Sequence, residues 1–367
     1  MIKAGLRQEG GGYVSIGTGQ EYGSIDRFRI IAAIIIVGIH TYPMASVSEV
    51  ANFYFVHVLG RVAVPFFLMV TGYFLLSRYL VHHKRDTGPL INFVKKTGII
   101  YALATLLYLP LSIYAGHYTN YAGMSLLVVI VRNIVFDGTF YHLWYLPAVI
   151  IGVLIVYALG RGFSLRLVFA IAVLLYFIGL FGDNYFGVIY GVLPIRNAYE
   201  VGFRVFSFTR NGLFYAPIFL VIGAAMAKQK NRVVTKHENR VRGLRCVVGL
   251  VVSLAFLMFE GYVLRRGDFS RHSSMYIALL PTMFFLFSFL LLLGGKAAVG
   301  LRSISMGIFI LHPLIIIVVR GVGRVFGLTQ LLVENSVVFF IAVCGLSVVV
   351  SVFCNGVYSR YKGRAYV

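Results

Sequence analysis

The stretch Asp26-Arg27-Phe28-Arg29-Ile30-Ile31-Ala32-Ala33-Ile34-Ile35-Ile36-Val37-Gly38-Ile39-His40-Thr41-Tyr42-Pro43 sets the reading of the whole chain. Ten uncharged, apolar positions separate Arg29 from His40. In a helix the two lie about 16 Å apart along the axis and within about 20° of the same face. Asp26 precedes Arg29 by three residues and shares that face. The spacing places Arg29 at one headgroup boundary and His40 near mid-bilayer. An ionisable side chain at that depth is costly and reads as a functional candidate. The plainer reading is an arginine snorkelling to the interface and a histidine hydrogen-bonded to a neighbouring helix.

Working outward, the chain has 367 residues, 59% hydrophobic and 12% charged, yet it carries 33 Lys+Arg against 12 Asp+Glu. A soluble domain has about 25% charged residues. A nucleic-acid binder would show basic faces on a polar surface, not a mean hydropathy of +0.87. Disorder is excluded by the same apolar content. The expected fold class is an all-α polytopic membrane protein with about ten transmembrane helices. The apolar runs fall near 28–47, 54–76, 97–115, 142–160, 166–182, 211–227, 245–262, 274–293, 303–320 and 334–354. Two shorter runs, 124–136 and 186–195, read as re-entrant or interfacial pieces. With ten helices, 23 of the basic residues fall on one side and nine on the other, leaving only Arg61 inside a span. Positive-inside logic then puts both termini in the cytoplasm. The first 22 residues lack a signal-peptide pattern, so the first run is expected to be an uncleaved anchor. Cys246, Cys344 and Cys354 suggest no disulfide framework. No repeat or inverted symmetry is visible, which disfavours the common transporter architectures.

Four further groups of residues stand out. Arg61, four residues after His57 and four before Pro65, lies about 10 Å inside the outer boundary and needs a water-filled cavity or an anionic partner. His57, nearer the interface, reads as structural. His142-Leu143-Trp144-Tyr145-Leu146-Pro147 opens the fourth span and holds the single tryptophan. An interfacial aromatic anchor competes with a substrate-binding role there. His312-Pro313 falls at mid-depth, where the proline frees a carbonyl beside the histidine and makes a cavity-lining bend plausible. Thr209-Arg210-Asn211-Gly212 and Glu260 sit at outer helix ends, where ordinary surface charge is the competing reading and the preferred one for Glu260. No metal-ligand spacing, P-loop or dinucleotide fingerprint is present, and no metal is expected. The basic loops 77–96 and 228–245 read as solvated or lipid-facing.

These motifs, in this order, resemble the integral-membrane acyltransferase-3 family of bacteria. The resemblance rests on Asp26-x-x-Arg29-(ten residues)-His40, Arg61-x-x-x-Pro65-Phe66-Phe67-x-x-x-Thr71-Gly72, His142-Leu143-Trp144-Tyr145-Leu146 and Ser305 with His312-Pro313. It covers about 24–355, leaving a flexible tail at 1–23 and a basic tail at 356–367. Phe93-Val94-Lys95-Lys96 with Tyr101, Tyr108-Leu109-Pro110 and Thr209-Arg210-Asn211-Gly212-Leu213-Phe214 resemble a subgroup. It includes O-acetyltransferases and the membrane domains of serine racemases linked to vancomycin resistance.

The resemblance implies transfer of an acyl group, usually acetyl, from cytoplasmic acyl-CoA to a hydroxyl of a cell-surface glycan, in the bacterial cytoplasmic membrane. Acetyl-CoA would be a co-substrate, with no bound cofactor; the lipid bilayer is the environment and no nucleic acid is a partner. The family's first-helix Arg and His correspond to Arg29 and His40. Many members carry an Arg-rich motif where this chain has Lys95-Lys96, and lysine lacks the planar bidentate phosphate contact. On this reading His40 removes the acceptor proton, and Arg29, oriented by Asp26, holds CoA phosphates. Arg61 stabilises the oxyanion or orients the acceptor, and His312 is a second base or a hydrogen-bond partner. Asp26, His142, Trp144, Lys95, Lys96 and Arg210 complete the expected substrate-binding set. Two alternatives remain open: a carrier for a small polar solute such as serine, and a catalytically silent scaffold.

Overall fold

The computed structural model describes residues 13–14, 22–228 and 234–364. Most of the N-terminal tail and part of the basic loop 228–245 lie outside them. The described chain is helical apart from a two-residue antiparallel pairing of Tyr13–Val14 with Val234–Thr235. Helices cover all ten apolar stretches: α1 Gly23–Thr41, α2 Glu49–Leu80, α3 Gly88–Tyr114, then α4 Gly123–Arg132, α5 Tyr145–Gly162, α6 Leu165–Phe181, α7 Leu193–Gly202, α8 Ala216–Met226, α9 Lys236–Gly267, α10 Leu279–Leu293, α11 Gly300–Val325 and α12 Ser336–Arg364. α4 lies over the first short run, and the second holds a single helical turn, Phe186–Ile189, and the start of α7; at ten residues each, about 15 Å, neither α4 nor α7 crosses a bilayer. Among the described residues six helices, α2, α3, α5, α9, α11 and α12, are long and apolar enough to span. α1 has the length, but Asp26, Arg27 and Arg29 crowd its first two turns. The fold is that of a polytopic helical membrane protein.

Burial runs from the centre outward. Ten of the eleven residues of α8 are buried, so this short helix is apolar all round and sits inside a ring of α2, α5 and α6. At about 16 Å it is too short to cross alone. The expected span from 211 is therefore helical only from Ala216. The backbone before it turns instead, with Asn211 Oδ1 accepting from the Leu213 and Phe214 N–H groups at 2.9 and 3.1 Å. Irregular backbone at this depth survives because protein, not lipid, surrounds it. α9 and α12 lie at the edge and expose Val251, Phe256, Phe259, Ile341, Val349 and Phe353, as a lipid-facing surface requires. α12 runs unbroken through the expected boundary at 355, so the last residues extend the helix to Arg364 rather than beginning a separate tail there.

Two local devices shape the interior. α2 is broken by π-turns at Tyr54–Val58 and Gly72–Leu76, with a 3₁₀ turn at Leu59–Val62. Pro65 supplies no N–H to the Arg61 carbonyl and crowds it, so the turn carrying Arg61 tightens. α1, α11 and α12 pack through Ala33, Val37, Ile308, Ile315, Ile316, Val319, Phe339 and Val343. This small-and-branched seam carries His40 to the same level as His312.

Candidate active site

The site is two cavities on either side of one layer of side chains. The outer cavity, about 510 Å³, is lined by His40, His57, Arg61, Tyr141, His142, Trp144, Arg210 and the Arg271–Ser274 loop. The inner one, about 140 Å³, is lined by Arg29, Thr71, Phe93, Thr97, Arg302 and Ser305. Ile36, Val64, Tyr145 and Phe309 line both, so the partition is one side chain thick. α1 crosses it, offering Arg29 to the inner space and His40 to the outer.

His40 stacks on His312, with centroids 5.3 Å apart and planes 24° from parallel, and packs against Tyr141 at 4.7 Å. His312 is fully buried and lines neither cavity. Its Nδ1 lies 2.9 Å from the Phe309 carbonyl and 3.1 Å from that of Ile308. Two carbonyls can only accept, so Nδ1 carries the proton. Pro313 is the cause, since it has no N–H to give the Phe309 carbonyl. His312 therefore holds the His40 ring from behind, and substrate meets His40 first. His142, also buried, meets His312 edge-on at 5.3 Å and Phe309 at 5.4 Å. Three histidines from α1, α11 and the turn before α5 thus form one cluster.

Arg61 donates to His57 Nδ1 at 3.2 Å, so His57, expected to be only structural, belongs to the cavity wall. Trp144 faces the outer cavity rather than serving as a simple membrane anchor, with Arg210 5.3 Å from its ring. The turn around Arg210 is built by its neighbours. Thr209 donates to the Gly179 carbonyl at 2.7 Å and Asn211 caps the turn, leaving the guanidinium to face the cavity. Opposite it, Asp183 accepts from the Ser274 and Met275 N–H groups at 2.7 and 2.9 Å and so sets the Arg271–Ser274 loop. Burial pushes the Asp183 carboxyl up to about 6, against the pull of those N–H groups and of Arg210.

At the inner cavity the expected partner of Arg29 is shared. Asp26 is buried, and its nearest oxygen is 3.5 Å from Arg29 Nε. Arg302 instead takes both oxygens, at 2.8 and 3.1 Å, and the Ala298 N–H adds a third donor. Asp26 is thus a clasp between α1 and the start of α11, with no oxygen left over for substrate. Lys95 and Lys96 are exposed on α3 outside the cavity wall, which Phe93 and Thr97 form on that helix. Glu260, expected as surface charge, accepts from Tyr185 and from the Ile277 and Ala278 N–H groups before α10, tying α9 to α10. Arg302, Tyr145 and the 271–274 loop were not singled out by the sequence. Tyr145 lies within the His142–Pro147 motif, and Arg-His-Ser-Ser before an apolar run was the available signal for the loop. Among the described residues no His/Cys/Asp/Glu group is arranged to hold a metal.

The clasp carries a prediction. Arg302→Met leaves Asp26 buried with one distant cation and should cost about 2 kcal/mol, the low end for a broken pair because Arg302 is itself part-exposed. Arg29→Met should cost less. Unfolding midpoints of the two variants in detergent measure this, and equal shifts would mean that Arg302 is not the main partner.

The comparisons with known proteins agree with this architecture. The acyltransferase-3 family model, described as an acyltransferase domain, matches residues 22–356. An amino-acid racemase of Enterococcus faecalis is 42% identical over 348 residues, 94% of this chain and 46% of that protein. A second amino-acid racemase of Enterococcus faecalis is 33% identical over 87% of this chain and 44% of its own length. A serine/alanine racemase of Enterococcus gallinarum is 34% identical over 79% and 40%. This chain spans less than half the length of these relatives. No solved structure matches. A match over nearly the whole membrane domain places the chain in the acyltransferase-3 family.

Proposed function

We propose that this domain moves an acyl group, acetyl in the simplest case, from acyl-CoA to a hydroxyl of a cell-surface glycan or similar acceptor. The observation that carries the reading is the thin partition: a donor entering past Arg29 and Arg302 and an acceptor entering past Arg61 and Arg210 are kept apart by Ile36, Val64, Tyr145 and Phe309 alone. The donor side then faces the cytoplasm, with both termini, in a bacterial cytoplasmic membrane. A hydroxyl is a poor nucleophile until its proton is removed. His40, at the floor of the outer cavity, takes that proton as the oxygen attacks the thioester carbonyl. The new C–O bond turns the carbonyl oxygen into a tetrahedral oxyanion, whose collapse breaks the C–S bond, and the proton passes from His40 to the departing CoA thiolate. His312 keeps the His40 ring in place by stacking. Arg61 is the cation available to the oxyanion. Arg29 and Arg302 suit the donor's phosphates.

The second reading is a carrier for a small polar solute such as serine: relatives are named for racemising amino acids, among them serine, and the partition between the two cavities is one side chain thick. Purified protein given acetyl-CoA and a hydroxylated acceptor should release free thiol and label the acceptor. Liposomes holding the protein should take up no serine when acyl-CoA is absent. Uptake without donor, and no thiol release, would replace the enzyme with the carrier.

A further inference from the structure

The outer cavity is lopsided in charge. Arg61, Arg210 and Arg271 reach it from α2, from the turn before α8 and from the loop before α10, and none of its described lining residues is acidic. Their hydrogen-bond partners are neutral. Arg61 donates to His57 at 3.2 Å, Arg210 to the Ser274 hydroxyl at 3.1 Å, and Arg271 to the Ser207 carbonyl at 3.0 Å. The Nε atoms of Arg61 and Arg210 are buried and have no partner. Two carboxylates lie behind the wall. Asp137 is taken by Arg132 at 3.2 Å and by the Ser207 N–H. Asp183 is fully buried beneath Ser274, with one oxygen on backbone N–H groups and the other unpartnered. One carboxylate therefore stands against three guanidiniums, and His40, His57 and His272 can only add positive charge.

Two of these guanidiniums are also packed on aromatic rings. Arg210 lies 4.4 Å from the Phe208 centroid and 5.3 Å from that of Trp144, and Arg271 lies 3.4 Å over Phe203. Burial, and then the like charge of Arg61, lowers the Arg210 guanidinium from its ordinary value. Desolvated like charges without counter-ions destabilise the empty site and reward an anion that enters it. Arginine's planar fork is suited to carboxylate and phosphate oxygens.

The geometry points to an acceptor that carries an anionic group, a carboxylate or a phosphate, seated on Arg61 and Arg210 with Arg271 at the mouth. The inference deepens the acyl-transfer reading and rests on it for the role of the acceptor hydroxyl, which this seat turns toward His40. The anion selects the substrate, and the hydroxyl on the same molecule receives the acyl group.

The test uses the full chain in detergent, titrated with glucuronate, glucose 6-phosphate or glucose while thermal unfolding is followed, with no acyl donor present. A ligand that binds the folded state raises the midpoint with concentration. Glucuronate or glucose 6-phosphate should raise it and glucose should not; the ranking of the two anions separates carboxylate from phosphate. Arg61→Gln and Arg210→Gln should each weaken the apparent affinity about tenfold or more. Arg271→Gln removes only the half-exposed cation at the mouth, so it remains a test if the others fail to fold, and it should weaken binding less. No anion-dependent shift, an equal shift with glucose, or a shift unchanged by Arg271→Gln and Arg210→Gln overturns the proposal. The readout needs no donor, so an acyl-transfer reading that fails leaves an anion site standing, and an absent anion site leaves acyl transfer standing.

Discussion

Membranes carrying His40→Ala should transfer labelled acetyl about 10²–10⁴-fold more slowly than wild type, with protein level and elution profile unchanged. The size of the loss follows from position. His40 lines the outer cavity, and it sits on the helix that also presents Arg29 to the other side. His312 does not take its place, because its ring is fully buried behind His40 and lines neither cavity. His312→Ala should therefore act through His40: the imidazole loses its stacking partner, and transfer falls by less than in His40→Ala. A readout separates this from simple damage. If His312 positions His40, the rate constant drops while the apparent affinity for acceptor holds, since none of the acceptor's cationic contacts is touched. Full activity in His40→Ala would remove the histidine from the reaction. An equal loss in both variants, with unchanged folding, would give His312 a direct part that its burial argues against.

How far the sequence reaches is clear from particular residues. The apolar runs were legible because lipid leaves no alternative to a helix with its own backbone bonds satisfied, and helices lie over every one of them. The freed carbonyl beside His312 and the place of Arg61 at a cavity were legible too, because each depends on spacing along one helix. What spacing cannot give is which helices touch. The stacking of His40 on His312 needs the α1–α11 seam, and the capture of Asp26 by Arg302 joins residues 276 positions apart. Arg302 looked like one more orienting charge at a helix start, and such a charge is indistinguishable from a ligand until its neighbour is known. Lys95 and Lys96 erred the other way: a basic pair at the expected position, turned outward by helix phase while Phe93 and Thr97 take the cavity face. The α8 region shows a further limit. Hydropathy reported its burial correctly but could not show that a buried helix inside protein need not be long enough to span.

That burial makes the second large effect a packing one. Gly72 on α2 and Gly223 on α8 each lie against the other helix's backbone, at Leu220 and Met69. A Cβ on Gly72 would lie 2.0 Å from the Leu220 carbonyl oxygen, and one on Gly223 would lie 2.1 Å from that of Met69. The contact is reciprocal, so each glycine admits the other helix's carbonyl, which is how close helix crossings in membranes are built. Elsewhere in a helix Gly→Ala stabilises by about 1 kcal/mol. Here the sign reverses, because the obstacle is a carbonyl rather than a flexible side chain, and α8 is enclosed by α2, α5 and α6 with nowhere to retreat. Overpacking of this kind costs about 3 kcal/mol or more. Any relief comes from splaying α2 from α8, which moves Arg61 away from the turn that presents Arg210. Gly223→Ala and Gly72→Ala should therefore lower both the unfolding midpoint and the yield of monodisperse protein, and the folded remainder should lose anion binding. Gly98→Ala and Gly345→Ala, where a Cβ meets nothing within 4 Å, serve as controls and should match wild type or exceed it slightly. If Gly223→Ala melts with the controls, α2 and α8 have room to part, and the shape of the outer cavity is not set by this crossing.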